Sequence, residues 1–343
     1  MHSEILQRNF EQLINEFEEI PTDHLLFVID SEIHKLYGDW TKLIQKIESK
    51  KISFYVTNSG ESAKTMSEYE KMTEFFIQKG AHRKSTLIAI GGGATTDVAG
   101  FVASTLLRGI KWVAVPTTLL GMVDAAIGGK TAINSTQGKN LVGSFHTPEK
   151  VILCSKFLET LPPEQIQCGT GEIVKYGLIN QDIFHFILNE ENKLPSIIQH
   201  CAHYKNELVG MDFKEAGLRQ VLNFGHTIGH AIEKIYQISH GESVFWGMYV
   251  ISKIFGENEV LRKLTALAHQ LDSGFQTPPW YQKTFPLGEI MNFIQRDKKR
   301  VSSSSINLII VDESHRANIK EYPLSEFEQL LENNINEIKT ISL

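Results

Sequence analysis

Cysteine is scarce in this chain. Its 343 residues include three, at positions 154, 168 and 201, and no two form a C-x-x-C pair. An odd, scattered set builds neither a disulfide framework nor a thiolate zinc site, and it suits a reducing compartment. Excess positive charge is lacking too. The formal net charge is −6, which argues against a nucleic-acid binder, whose footprint is a basic face. An anionic small molecule remains admissible, because a local group of lysines overrules the net charge. Long uninterrupted apolar runs are also missing. The least charged stretch, "WVAVPTTLLGMVDAAIGG", is broken by Pro116, Asp124 and several glycines, so it makes a poor membrane span. The opening residues, "MHSEILQRNFEQL", are charged and carry no apolar secretory segment. These absences lead to the expectation of a cytoplasmic protein with no nucleic-acid and no membrane partner. The 42% hydrophobic and 22% charged content is that of an ordinary globular chain, and the length suggests two domains.

What is present alternates. Short apolar runs, "HLLFVID", "KISFYVTN", "STLIAIGG", "KWVAVPT" and "KVILC", read as strands. Between them lie amphipathic stretches, "DWTKLIQKIESK", "ESAKTMSEYEKMTEFFIQKG" and "ATTDVAGFVASTLLRG", that read as helices. Strands spaced by helices mean βαβ units and a mainly parallel sheet. After "FLETLPPEQ" the texture becomes helical, apart from a late strand in "SINLIIVDE" and a closing helix in "LSEFEQLLENNINEI". The expectation is an α/β N-terminal domain, residues 1–160, with a Rossmann-like, mainly parallel sheet. An all-α C-terminal domain, residues 161–343, follows, with the break near Pro162 and Pro163.

"LIAIGGGATTDVAG" runs from a strand through three glycines into a helix. Glycines admit close approach of a ligand, and a helix N-terminus offers unpaired N–H groups to an anion. The spacing is not G-x-G-x-x-G, so a tight turn and a phosphate cradle both fit. Asp97 falls in the first helical turn on this reading, either as dipole complement or as cofactor contact. Thr117 and Thr118 leave the next strand where ligands gather in open α/β sheets. "GGKTAINSTQGKN" presents Lys130 and Lys139 after glycines, but Asp124 stands where a P-loop requires its first glycine. Solvated lysines and anion contacts both remain open.

In "LNFGHTIGHAIEK", His226 and His230 share a helix face at i, i+4. Thr227 replaces the glutamate of the zinc-protease pattern, so peptide hydrolysis is the wrong reaction to infer. His240 follows in "SHGESVFWG", and Glu172 precedes in "GTGEIVKYG". One carboxylate with two or three imidazoles makes a working metal set. Packed or surface histidines remain the bland alternative. A metal beside a nucleotide cofactor suits polarising a substrate alcohol or ketone.

Taken in order, "GGGATTDVAGFVAS", "VPTTLLGMVDAAIGGKTAIN", "GKNLVGSFHTPEKV", "GEIVKYG", "LNFGHTIGHAIE" and "HGESVFWGM" resemble the 3-dehydroquinate synthase family across roughly residues 85–250. The resemblance implies an NAD-binding first domain, a metal-binding helical second domain and a cleft between them. It implies metal ligands Glu172, His226 and His240 for one divalent ion, Zn2+ or Co2+. His230 becomes a neighbour that relays protons. Implied NAD contacts are Asp30, Glu61, Lys64, Gly92, Gly93, Asp97, Thr117, Thr118, Lys130, Lys139 and Thr160. The implied substrate is the anionic sugar acid 3-deoxy-D-arabino-heptulosonate 7-phosphate. Its implied contacts are Lys130, Asn140, Lys175, Lys205, Arg219, Asn223 and one of Lys298 or Lys299. Arg108 matches a residue that reaches the neighbouring subunit's phosphate site, which implies a homodimer. Asp124, Lys130, Lys175 and His230 are the implied catalytic groups. The implied chemistry is an NAD-recycled oxidation, phosphate elimination, reduction and intramolecular aldol closure to 3-dehydroquinate. The chain departs from the family at Gly171, where relatives usually carry alanine, and at Phe245 and Trp246, where small residues are commoner. Rival readings are a cyclase making an inosose or valiolone ring and a metal-dependent polyol dehydrogenase. The set Lys205, Arg219, Asn223 and His230 favours the dehydroquinate family.

Overall fold

The computed structural model describes residues 2–189, 191–296 and 304–339. Two compact units divide the chain. The first comprises Met1–Pro162 with Ile198–Lys214, and the second Pro163–Ile197 with Glu215–Leu343.

The first unit is built on a six-stranded sheet. Its strands are β1 (Glu4–Gln7), β2 (His24–Asp30), β3 (Lys51–Thr57), β4 (Thr86–Gly91), β5 (Lys111–Pro116) and β8 (Lys150–Leu153), in the order β1-β8-β5-β4-β2-β3. Every pairing is parallel. β2 and β4 are buried at every position, as central strands covered on both faces must be. That burial produces their unbroken apolar sequence. Between β5 and β8 lies a separate antiparallel hairpin of β6 (Lys130–Ser135) and β7 (Gly138–Phe145). The stretch that carries Lys130 and Lys139 is therefore a hairpin. Its strand β7 is mostly exposed, so no apolar alternation marks it.

A single break near residue 160 misplaces Ile198–Lys214, which packs within the first unit. There Asn206 bonds the backbone of Ser3 through both its oxygen and its nitrogen, and Lys205 pairs with Asp124 at 2.7 Å. Helical periodicity reports that a segment buries one face, and it is silent about which neighbour receives it.

The second unit is helical, with one antiparallel hairpin of β9 (Ser305–Val311) and β10 (Ala317–Pro323). Three of its helices carry the site: Pro163–Ile179, His226–Tyr236 and His240–Ile254. Phe245 and Trp246 are fully buried. Phe245 packs on Phe275, and Trp246 meets Tyr249 and Trp280 edge-on. The bulky pair thus extends an aromatic core. No helix among the described residues is long and apolar enough to cross a membrane.

Candidate active site

In the second unit, Glu172 sits in the middle of the helix Pro163–Ile179 and is completely buried. His226 and His240 each open a helix. Gly225, at φ +79°, turns the chain into the first of these helices, and Ser239 caps the second by accepting from the Glu242 N–H. The result is convergence. His240 Nε2 lies 3.1 Å from Glu172 Oε1 and His226 Nε2 lies 3.4 Å from the same oxygen. One donor atom from each residue falls within 4.8 Å of the others.

The far side of each imidazole is occupied. His226 Nδ1 lies 3.2 Å from the Phe224 carbonyl oxygen, and His240 Nδ1 lies 3.2 Å from Glu233 Oε2. A carbonyl or carboxylate at Nδ1 fixes the tautomer that points the Nε2 lone pair inward, as metal-binding histidines require. A buried carboxylate and two imidazoles oriented this way are a donor set for zinc or cobalt, so the residues fit such an ion. Spacing along one helix does not reveal Glu233, because its partner His240 opens the next helix.

Charge in this pocket is strongly coupled. Burial alone would raise the Glu172 carboxyl. The adjoining Lys175 ammonium and His226 overcome it and hold the carboxyl well below the usual carboxylate range. Burial alone would lower His240, yet bonds to Glu172 and Glu233 push it up to about 10, so a cation binding at Nε2 must displace a proton there. Lys175 is itself buried and forms an ion pair with Glu172. His230 stands beside the set, its ring centroid 5.3 Å from that of His226 and nearly perpendicular to it. The i, i+4 spacing on the helix therefore brings the two histidines together without making both donors of the cluster. Nearby in sequence, Glu215 accepts from Asn223 Nδ2 at 2.8 Å and pairs with Arg219 Nε at 3.7 Å. One carboxylate thus orients two of the expected substrate contacts, a role not read from the sequence.

Helix packing explains the glycine at 171. A Cβ there would collide with the backbone of Gly241, the residue after His240. Gly171→Ala is expected to cost about 1–3 kcal/mol of stability through overpacking. It should also weaken metal retention by displacing His240, and thermal melting together with metal titration would show both.

In the first unit the expected cofactor residues gather at the carboxyl ends of the parallel strands. Asp30 ends β2, where its Oδ1 caps the following helix and its Oδ2 accepts from Ser59 and Thr95 at 3.1 Å each. Gly92 precedes the helix Gly93–Thr105, and Thr118 lies against it. The Thr117 N–H donates to the Gly91 carbonyl. Asp97 is the fifth residue of that helix and not in its first turn, because the helix begins at Gly93. It serves no dipole at the helix start. Burial pushes its carboxyl up to about 6 against the pull of Lys64, 2.6 Å away. Lys64 also donates to Asn140 Oδ1 at 2.5 Å. Glu61 accepts from Asn134 at 2.7 Å and lies 4.0 Å from Lys139. Thr160 bonds the Tyr37 hydroxyl at 2.8 Å. Lys130 opens β6 and is exposed. Asp124 lies in a helical turn and receives Lys205 on both its carboxylate and its carbonyl. Arg108 is exposed at φ +71°. Lys298 and Lys299 lie outside the described residues.

The sequence model of the 3-dehydroquinate synthase N-terminal region matches residues 54–168, and that of the C-terminal region matches residues 169–300. The chain belongs to the 3-dehydroquinate synthase family. It is 35% identical over 347 residues to 3-dehydroquinate synthase of Clostridium tetani (strain Massachusetts / E88), covering 96% of this chain and 92% of that one. It is 40% identical over 244 residues to 3-dehydroquinate synthase of Alkaliphilus metalliredigens (strain QYMF), covering 68% of each. In fold it is similar to 2-epi-5-epi-valiolone synthase from Streptomyces hygroscopicus subsp. jinggangensis 5008, a structure with NAD+ and Zn2+ bound. That likeness has a TM-score of 0.81, 21% identity and 98% coverage of both chains. The parallel sheet and helical second unit are thus a fold shared with sugar phosphate cyclases.

Proposed function

We propose that the protein converts 3-deoxy-D-arabino-heptulosonate 7-phosphate into 3-dehydroquinate and phosphate, with NAD and one divalent ion, Zn2+ or Co2+, as cofactors. The observation that carries this reading is the convergence of His226 and His240 on the completely buried Glu172, in a chain matching both halves of the family.

When bound, the ion supplies Lewis acidity toward a substrate hydroxyl, and NAD supplies a reversible hydride acceptor. Glu172, His226 and His240 hold the ion, while the Phe224 carbonyl and Glu233 keep the two imidazoles aimed. His230, beside that set but outside it, relays protons, and Lys175 holds a proton next to Glu172. The two anionic ends of the substrate are met by Lys130, Lys205, Arg219 and Lys175, with Asn140 and Asn223 as neutral donors and Lys298 or Lys299 as a further cation. Asp124 keeps the Lys205 ammonium in place. NAD is held by Asp30, Glu61, Lys64, Gly92, Gly93, Asp97, Thr117, Thr118, Lys139 and Thr160, together with Lys130. Positioning and fixed charges then do most of the catalysis. The exposed Arg108 fits a homodimer, and three free, buried cysteines fit a reducing cytoplasm.

A phosphate-release assay with the heptulosonate phosphate and substoichiometric NAD tests this reading. Release should continue far beyond one turnover per NAD without accumulation of NADH absorbance. Chelation should lower it by about 10²-fold or more, and zinc or cobalt should restore it. Accumulating NADH would point to a dehydrogenase, and turnover of sedoheptulose phosphate instead would point to a valiolone-forming cyclase.

A further inference from the structure

Asn134 has no part in the proposed chemistry, yet it lies where the hairpin β6–β7 breaks register. Pairing runs regularly from Lys130↔Phe145 to Ile133↔Val142 and resumes at Ser135↔Gly138. One residue of β6, Asn134, therefore faces three of β7: Lys139, Asn140 and Leu141. A bulge of this kind re-aims side chains, and bulges concentrate beside active sites. Here it presents Asn140 at φ +55°, a left-handed conformation that asparagine tolerates better than most residues but that still needs support.

Asn134 supplies that support from three groups. Its side-chain Oδ1 accepts the Asn140 backbone N–H at 3.0 Å. Its Nδ2 donates to Glu61 Oε2 at 2.7 Å. Its backbone N–H, which a regular strand would spend on the ladder, donates to the Lys64 carbonyl at 2.7 Å. Lys64, only 3% exposed, extends the network to Asp97 and to the Asn140 side chain. Every one of these partners is a residue that the functional reading gives to cofactor or substrate.

We infer that Asn134 is a positioning residue. It fixes the substrate contact Asn140 and the cofactor contacts Glu61 and Lys64 in one geometry, without touching either ligand. The inference rests on that functional reading of the three partners. A binding group held in a strained, exposed turn loses affinity when its tether is cut, because binding must then restore the order.

The test compares Asn134→Ala and Asn134→Asp with the unsubstituted protein. NAD binding is read by calorimetry, heptulosonate phosphate kinetics by phosphate release, and folding by thermal melting. Asn134→Ala should weaken NAD binding about tenfold and raise the substrate KM about tenfold, with kcat within about threefold and the melting midpoint nearly unchanged. Asn134→Asp retains the acceptor for the Asn140 N–H but sets a second carboxylate against Glu61 Oε2, so its NAD binding should fall at least as far as that of Asn134→Ala. The inference is overturned if Asn134→Ala leaves both affinities unchanged. It is also overturned if stability and kcat fall while affinities hold, or if Asn134→Asp binds NAD as tightly as the unsubstituted protein. If the unsubstituted protein neither binds NAD nor releases phosphate, the functional reading fails and this inference with it. If it does both while the alanine variant matches it, the inference alone fails.

Discussion

Glu172→Gln is expected to reduce phosphate release by about 10³-fold or more, because several kcal/mol of charge stabilisation depend on the ion it is proposed to hold. Two effects must be separated. Glutamine keeps the shape but removes the negative charge, so fewer ions are retained. It also strands Lys175, which is only 1% exposed and loses its buried partner. Breaking a buried pair from one side costs about 3–5 kcal/mol, so the single variant should also melt at lower temperature. The double variant Glu172→Gln/Lys175→Met removes the orphaned charge at similar volume. It should recover most of the stability and none of the activity, with metal content measured on the same samples. A double variant that regained phosphate release would show that Glu172 matters only as the counter-charge of Lys175.

The second large effect is expected at Gly225. Its φ of +79° is hostile to any side chain, and a Cβ would meet Met248 Cγ at 2.5 Å and the Val244 carbonyl at 2.6 Å. Gly225→Ala should therefore destabilise the protein by about 2–4 kcal/mol, combining backbone strain with overpacking. The displaced turn carries both His226 and the Phe224 carbonyl that orients it, so metal affinity should fall by about tenfold or more. Gly256 offers the control. Its φ is +73°, and a Cβ there would meet nothing within 4 Å. Gly256→Ala should cost about 1–2 kcal/mol and leave metal binding intact, as denaturant melts and metal titrations would record. Equal metal loss in both variants would mean that the turn at 225 has no special part in aiming His226.

Much of the sheet is legible because central parallel strands are apolar throughout. β2, β4 and β5 stand out in the sequence for that reason. β1 does not, since this edge strand has four residues, exposed and polar at both ends, with only Ile5 buried. The hairpin β6–β7 is equally hidden, because its glycine and lysine content reads as loop and its second strand buries almost nothing. At the site, spacing reports neighbours on one helix and is blind across a turn. His226 and His230 are therefore paired by eye, whereas the structure groups His226 with His240 from the next helix and Glu172 from another. Only the ordered family motifs reached that grouping from sequence. Glu233, Glu215 and Asn134 escaped both routes, since each acts on a residue rather than on a ligand.

The chain order of the first unit has a consequence for synthesis. Residues 163–197 must leave the ribosome before Ile198–Lys214 can reach Asp124 and Ser3. A nascent chain halted at Pro162 would hold all six strands of the sheet yet leave Asp124 without its lysine. Dividing the gene at that point would thus separate Ser3 and Asp124 from the two side chains that hold them.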